Sequence, residues 1–265
     1  MKKNMIADVF GYVVYWQSEQ FEKDRDTLFF LHGLTADHTM FDRQIEFFSK
    51  DYNIITWDAP AHGESRPYMK FTYENAAKAV KNILDDCGVD KVILIGQSMG
   101  GFISQSVISR YPERVKGFVA IDSTPYGDYY SKSDMWWLRQ IEWMAKLYPD
   151  KILRWAMANQ CCVTKHGRKN MADMLACYDK NELCHLMGIG FSGFLADNQE
   201  LEIKCPVLLL LGEKDHTGYV KAYNKEWTKR TGFPLKIIKD AAHNANVDQP
   251  DVVNRLIKEF IDENC

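Results

Sequence analysis

The sequence predicts an α/β protein. It reads as a mostly parallel central sheet of about eight strands, with helices on both faces and a helical stretch inserted after the sixth strand. Three observations carry this. Short apolar, β-branched runs alternate with amphipathic helical patterns from residue 27 to 121, and again from 207 to the end. Between residues 126 and about 199 the strand runs stop, and a helical pattern rich in tryptophan and methionine takes over. At 91–110, KVILIGQSMGGFISQSVISR, a buried-strand run, a glycine-flanked turn and an amphipathic helix follow one another without a break.

The elements follow in order. Residues 5–9 and 12–17 read as two short strands turned at Phe10-Gly11. The charged stretch 22–26 reads as a surface loop. Residues 27–31 form a buried strand ending in His32-Gly33-Leu34-Thr35, and 39–50 fit an amphipathic helix. Residues 53–57 are the next strand, ending in the turn formers of 58–65. The helix over 72–87 has an N-cap in Thr72 and a stop at Gly88. The central strand 92–95 and its helix come next, then a strand at 115–121 ending in Asp122-Ser123-Thr124-Pro125. The sheet resumes at 207–211, followed by a helix at 219–230, a last strand at 235–239 and a closing helix at 250–262 with Pro250 in its first turn. Two domains result: a core of 1–125 with 200–265, and a helical cap or lid of 126–199. Right-handed crossovers would place the loops at 32–35, 58–65, 97–100 and 122–125 around one cavity, off the carboxyl ends of the strands.

Composition excludes several functions. The net charge is −3, from 33 Lys and Arg against 36 Asp and Glu, and both signs are mixed along the chain. That balance gives no nucleic-acid surface and no polybasic membrane patch. No apolar run reaches membrane-spanning length. The first residues make a poor export signal, so the seven cysteines read as reduced thiols in a cytoplasmic protein. Cys161, Cys162, Cys177, Cys184 and His185 lack regular ligand spacing, so no metal is expected there, and they read as buried cap residues. No sequence signal sets the oligomeric state.

The chemistry lies in the strand-end loops. In Gly96-Gln97-Ser98-Met99-Gly100 the glycines stand where a Cβ would collide with the neighbouring strand or helix. The strained turn pushes the Ser98 hydroxyl outward, and the helix N-terminus behind it favours negative charge. A serine is a weak nucleophile and needs a base, which in turn needs an orienting acid. His243 and Asp215 both follow strand ends on the same edge, in the order Ser98, Asp215, His243. His32 is the rival base by position alone.

These residues carry a resemblance. His32-Gly33-Leu34, Asp58-x-x-Ala61-His62-Gly63-x-Ser65, Gly96-x-Ser98-x-Gly100-Gly101, Gly212-x-x-Asp215 and His243 together resemble the α/β-hydrolase fold family, within it the capped esterase, lactonase and C–C hydrolase group. The resemblance spans essentially the whole chain. It implies Ser98 as nucleophile, His243 as general base and Asp215 as its orienting acid, with Asp122 the rival acid because some members draw the acid from that strand end. It also implies an oxyanion hole from the backbone N–H groups of Leu34 and Met99, and a structural role for His32 in the oxyanion turn. Ala61 and Ala242 stand where the family usually has glycine.

The leading expectation is a serine hydrolase with no metal or organic cofactor, cleaving a small to medium, largely apolar ester or lactone through an acyl-enzyme. The alternatives are hydrolytic C–C cleavage of a β-diketone-like ring-cleavage product, and a slow-turnover ligand receptor on the same fold. A perhydrolase side activity could use the same serine. Dehalogenation is disfavoured, because those relatives carry aspartate at the elbow. His32, Trp136, Trp137 and Trp143 are the candidate substrate contacts. A charged substrate would want an arginine facing the cavity; Arg139, Arg154 and Arg168 are the candidates in the cap, read first as surface residues.

Overall fold

The computed structural model describes residues 1–22 and 24–265, so Lys23 in the charged 22–26 stretch lies outside the described residues. Eight strands form one sheet: β1 (Lys2–Asp8), β2 (Gly11–Gln17), β3 (Thr27–Leu31), β4 (Asn53–Trp57), β5 (Val92–Gln97), β6 (Val115–Ile121), β7 (Val207–Gly212) and β8 (Leu235–Ile238). Their spatial order is β1-β2-β4-β3-β5-β6-β7-β8. The first hairpin is antiparallel and β2 joins β4 antiparallel; every pairing from β4 onward is parallel.

The period-two alternation of the strands sorts the core. Leu28, Phe30, Ile54, Ile93, Ile95, Val119 and Leu208 face one apolar layer. Phe29, Leu31, Ile55, Trp57, Leu94, Phe118 and Leu209 face the other. Both layers are needed because a parallel strand is covered on both sides, which is why β3, β4 and β5 are buried at every position. The first layer is closed by α1 (Asp42–Phe48) and α11 (Pro250–Asn264), the second by α2 (Tyr73–Asp86), α3 (Met99–Arg110) and α9 (Val220–Thr231). Thr72 caps α2 as expected, its side chain accepting the Asn75 N–H, and Gly88 follows at φ 67.

Five helices stand between β6 and β7: α4 (Lys132–Leu138), α5 (Ile141–Leu147), α6 (Asp150–Cys161), α7 (Lys165–Leu175) and α8 (Lys180–Asp197). None of the described helices is long and apolar enough to cross a membrane.

Three local expectations are corrected. The helix expected over 39–50 opens as a 3₁₀ turn, His38–Phe41, because the Asp37 side chain caps the Thr39 N–H; regular α-helix begins only at Asp42. The central strand extends to Gln97, since Gly96 and Gln97 still pair with Ala120 and Ile121. A four-residue helix, α10 (Ala245–Asp248), fills the stretch after His243 that the sequence pattern left unassigned.

Candidate active site

The turn after β5 is built by close approach. Ser98 sits at φ 48, ψ −112, outside the comfortable region for a residue with a Cβ, a geometry that costs about 1–3 kcal/mol. Its neighbours hold it there. The Ser98 N–H donates to Ile121 O at 2.9 Å, and the Ser123 hydroxyl donates to Ser98 O at 2.8 Å. A Cβ on Gly100 would collide with the Leu31 carbonyl, so only glycine lets α3 approach β3 this closely. Met99 is the first residue of α3, and its N–H belongs to the unpaired first turn.

Ser98, His243 and Asp215 are brought into one hydrogen-bonded chain. His243 Nδ1–H donates to Asp215 Oδ2 at 2.8 Å, which leaves Nε2 to accept the Ser98 hydroxyl at 2.9 Å. Asp215 is buried; its other oxygen accepts the Thr217 N–H at 2.8 Å. Burial alone would lower the His243 pKa, but the Asp215 charge and hydrogen bond, helped by Asp122, outweigh it and hold the imidazole above its ordinary 6.5. Burial likewise opposes ionisation of Asp215, but the His243 charge and hydrogen bonds from His243 and Thr217 bring it below the usual carboxylate range.

Asp122, the rival acid, is engaged elsewhere. Its two oxygens accept the Gly212 N–H at 2.6 Å and the Ala245 N–H at 3.0 Å, tying the ends of β6 and β7 to α10. Burial and the nearby Asp215 charge push its pKa well up. His32 also differs from the substrate contact expected of it. Its Nε2 accepts the Ala59 N–H at 2.9 Å and its Nδ1–H donates to Gly33 O at 2.7 Å, so both nitrogens serve the backbone. Burial keeps it neutral by lowering its pKa. Gly33 lies directly beside the turn: a Cβ there would run into the Gln97 amide and come within 3.5 Å of the Ser98 Cβ. The Leu34 peptide is therefore next to Ser98. Ala61 adopts φ 67, a left-handed conformation that explains glycine as the usual residue there.

The insertion tryptophans differ from expectation. Trp136, Trp137 and Trp143 are 52%, 54% and 50% exposed. Trp136 and Trp137 pack edge to face on each other, and the Trp143 indole N–H donates to Gln140 at 2.8 Å. The groups of α4 and α5 that turn inward are Met135, Leu138 and Ala145 instead. Arg154 is held by Asp150, Leu175 O and Tyr178 O within the insertion. Cys162 and Cys184 are buried as expected, whereas Cys177 is exposed.

Two functional side chains escaped the sequence reading. The buried Gln97 amide donates to His243 O at 2.7 Å and to Asn244 Oδ1 at 3.3 Å, joining the elbow to the histidine loop. Asp248 accepts the Ala242 N–H at 3.0 Å, the Val163 N–H at 2.9 Å, and the Thr164 N–H and hydroxyl at 2.9 and 2.7 Å. It fastens the histidine loop to the α6–α7 junction. The only advance sign was charge: an acid five residues after His243, in a stretch 244–250 that holds no other charged residue.

Among the described residues, one group has metal-like spacing. Asp37, His38 and Asp58 place three potential ligand atoms within 4.8 Å. These atoms already bond internally. Asp58 Oδ1 accepts the His38 N–H and Nδ1–H at 2.9 and 2.8 Å, and Asp37 Oδ1 accepts the Thr39 N–H and hydroxyl.

Residues 26–158 match the family described as alpha/beta hydrolase fold. The human protein named epoxide hydrolase 4 is 26% identical over 274 residues, covering 91% of this chain and 74% of that relative. Among solved structures, a thermophilic esterase from Thermogutta terrifontis superposes with a TM-score of 0.80 at 18% identity, covering 99% of each chain. An N-acyl homoserine lactone degrading enzyme superposes with a TM-score of 0.77 at 20% identity, over 97% of this chain and all of the other. At these identities the two structures share the fold.

Proposed function

The chain belongs to the α/β-hydrolase fold family, and from that premise we propose that it is a serine hydrolase that cleaves a carboxylic ester or lactone through an acyl-enzyme on Ser98. The observation that carries this reading is the Ser98–His243–Asp215 chain at 2.9 and 2.8 Å. His243 takes the Ser98 proton as Oγ attacks the substrate carbonyl carbon. The carbonyl oxygen becomes an oxyanion and is received by the backbone N–H groups of Leu34 and Met99. His243 then gives the proton to the leaving alkoxide oxygen as the carbonyl–oxygen bond breaks. Water, deprotonated by His243, attacks the acyl ester and restores Ser98. Asp215 holds the imidazole in the productive tautomer and stabilises its cation. Each oxyanion donor acts on charge that develops only in the transition state, a contribution of about 10²–10³ in rate.

The residue at the elbow also selects among the relatives' chemistries. Serine attack on an epoxide would leave an ether, which has no carbonyl for water to attack, so turnover would stop. Serine attack on an ester or lactone leaves an acyl group that water can remove. In this reading the insertion acts as the cap and bounds an apolar pocket: the Leu34 side chain packs against Gly190 of α8, where a Cβ would collide with it.

The test is turnover of a graded series of p-nitrophenyl esters and simple lactones, wild type beside Ser98→Ala. The expected result is turnover that falls by about 10⁵–10⁶ in the variant, with a chain-length optimum reporting pocket depth. Undiminished turnover in Ser98→Ala would overturn the assignment. A wild type that binds these compounds without turning them over would favour the receptor alternative.

A further inference from the structure

We propose that the outer face of α4–α6 is a docking surface for an anionic phospholipid bilayer. Seven of the fourteen large hydrophobic side chains exposed among the described residues lie between 136 and 155, including four tryptophans 50–66% exposed. They follow the outer sides of their helices. Trp143 and Leu147 are four residues apart on α5, and Ile152 and Trp155 three apart on α6, whereas Ala145, Leu153 and Ala158 are buried. Soluble surfaces rarely expose so many large apolar side chains within about twenty residues without a partner.

Charge identifies the partner. Residues 132–175 hold eight lysines and arginines against four acids, a net +4 with His neutral, in a chain whose overall charge is −3. No basic run exists in the sequence; the charge gathers only when α4–α7 fold together. Within that span α4–α6 alone carry a net +2, so a second copy of this chain on the same face would set like charge against like charge across an isologous interface. A bilayer with anionic headgroups meets both features: indoles settle at headgroup depth, and the cations meet opposite charge. Between α6 and α7 an open cavity of about 510 Å³ has a mainly apolar lining that includes Trp155, Ala172 and Tyr178, with Arg154, Arg168 and Lys169 among it. Arg154 and Lys169 pair with Asp150 and Asp173, while Arg168 donates its Nε–H to Cys162 O and turns the rest of its guanidinium to the cavity side of α7. A phosphodiester headgroup is the anion of matching charge for that recess.

The surface lies close to the site. At the end of α6, Cys161 O accepts the Asn244 N–H at 2.8 Å, next to His243. Trp155 is six residues back, about 9 Å along the helix. Substrates dissolved in the bilayer would therefore be presented near the cleft. This last consequence rests on the proposed hydrolase reading; the docking does not.

The experiment is co-sedimentation of the Ser98→Ala protein with vesicles of phosphatidylcholine alone, or of roughly three parts phosphatidylcholine to one part phosphatidylglycerol. The expected result is partition onto the mixed vesicles only, falling at least tenfold in ~0.5 M salt. Ile152→Ser with Trp155→Ser, and separately Lys151→Glu with Lys169→Glu, should each weaken partition about tenfold or more while leaving hydrolysis of a soluble ester by otherwise wild-type protein within about twofold. No partition of the parent protein onto the mixed vesicles would overturn the proposal. So would partition indifferent to all four substitutions, or a stable dimer in solution that buries Trp155. Docking without ester turnover would uphold the surface and count against the hydrolase reading alone.

Discussion

At the carboxyl edge of the sheet, Ser98, Asp215 and His243 stand on three loops whose backbones are tied to buried groups. In the insertion between β6 and β7, four tryptophans stand half in water on helices whose inner faces carry the packing. The first region has its side chains aimed by hydrogen bonds from distant elements: Gln97 to the histidine loop, Asp122 to β7 and α10, Asp248 to the α6–α7 junction. The second has its aromatic groups placed by helical phase and by neighbours within a few residues, as Gln140 holds Trp143. The contrast teaches that the candidate triad is held by satisfied polar groups from distant elements, whereas the exposed indoles are not. Substitutions can break or sharpen that contrast.

The largest effect should come from Asp215, with Asp122 as its contrast. Asp215→Asn is expected to cut kcat by about 10⁴. It should also move the acid limb of the pH–rate profile downward. Activity requires neutral His243, so it is lost as pH falls through the His243 pKa, which lies above 6.5 in the intact protein. Without the Asp215 charge, burial dominates and that pKa drops. Asp122→Asn should leave activity within about tenfold but destabilise by about 1–3 kcal/mol, because an amide cannot accept from both Gly212 and Ala245. Steady-state kinetics across pH beside thermal melts would read both; the reverse pattern would make Asp122 the orienting acid.

An intermediate effect is expected at Gln97→Leu. The histidine loop keeps its Asp248 tie but loses its bond to the elbow, so a displacement of a fraction of an ångström should lower kcat by about 10–100-fold with KM little changed. A melt within a few degrees of wild type would separate positioning from folding. A loss confined to KM would place Gln97 in substrate binding instead. The smallest effect should follow Trp136→Ala or Trp137→Ala, with turnover of a soluble ester changed by about twofold or less. A loss of tenfold or more would place these indoles at the substrate.

Much of this organisation was legible in the sequence, for physical reasons. Buried parallel strands are continuous apolar runs, so β3, β4 and β6 were readable to the residue. The elbow was readable because a strand, a glycine-bounded serine and a helix meet in one stretch. Asp215 and His243 followed because strand ends gather at one edge. The insertion was readable as helical but not as to which way its tryptophans turn, since a 3.6-residue period marks a face without saying what covers it. Gln97 and Asp248 were illegible as positioning groups: their partners lie up to 147 residues away in sequence. His32 showed its rank correctly as a strand-end residue, but its two backbone bonds appear only in three dimensions.

The central claim is that Ser98 carries the acyl group, and intact-protein mass spectrometry after rapid quenching with an activated p-nitrophenyl ester tests it most directly. The account predicts one acyl adduct per chain that builds before steady state, maps to the peptide containing Ser98, and is absent from Ser98→Ala. Turnover with no adduct on wild type under conditions where deacylation is slowed, or an adduct on any other residue that tracks turnover, would contradict it.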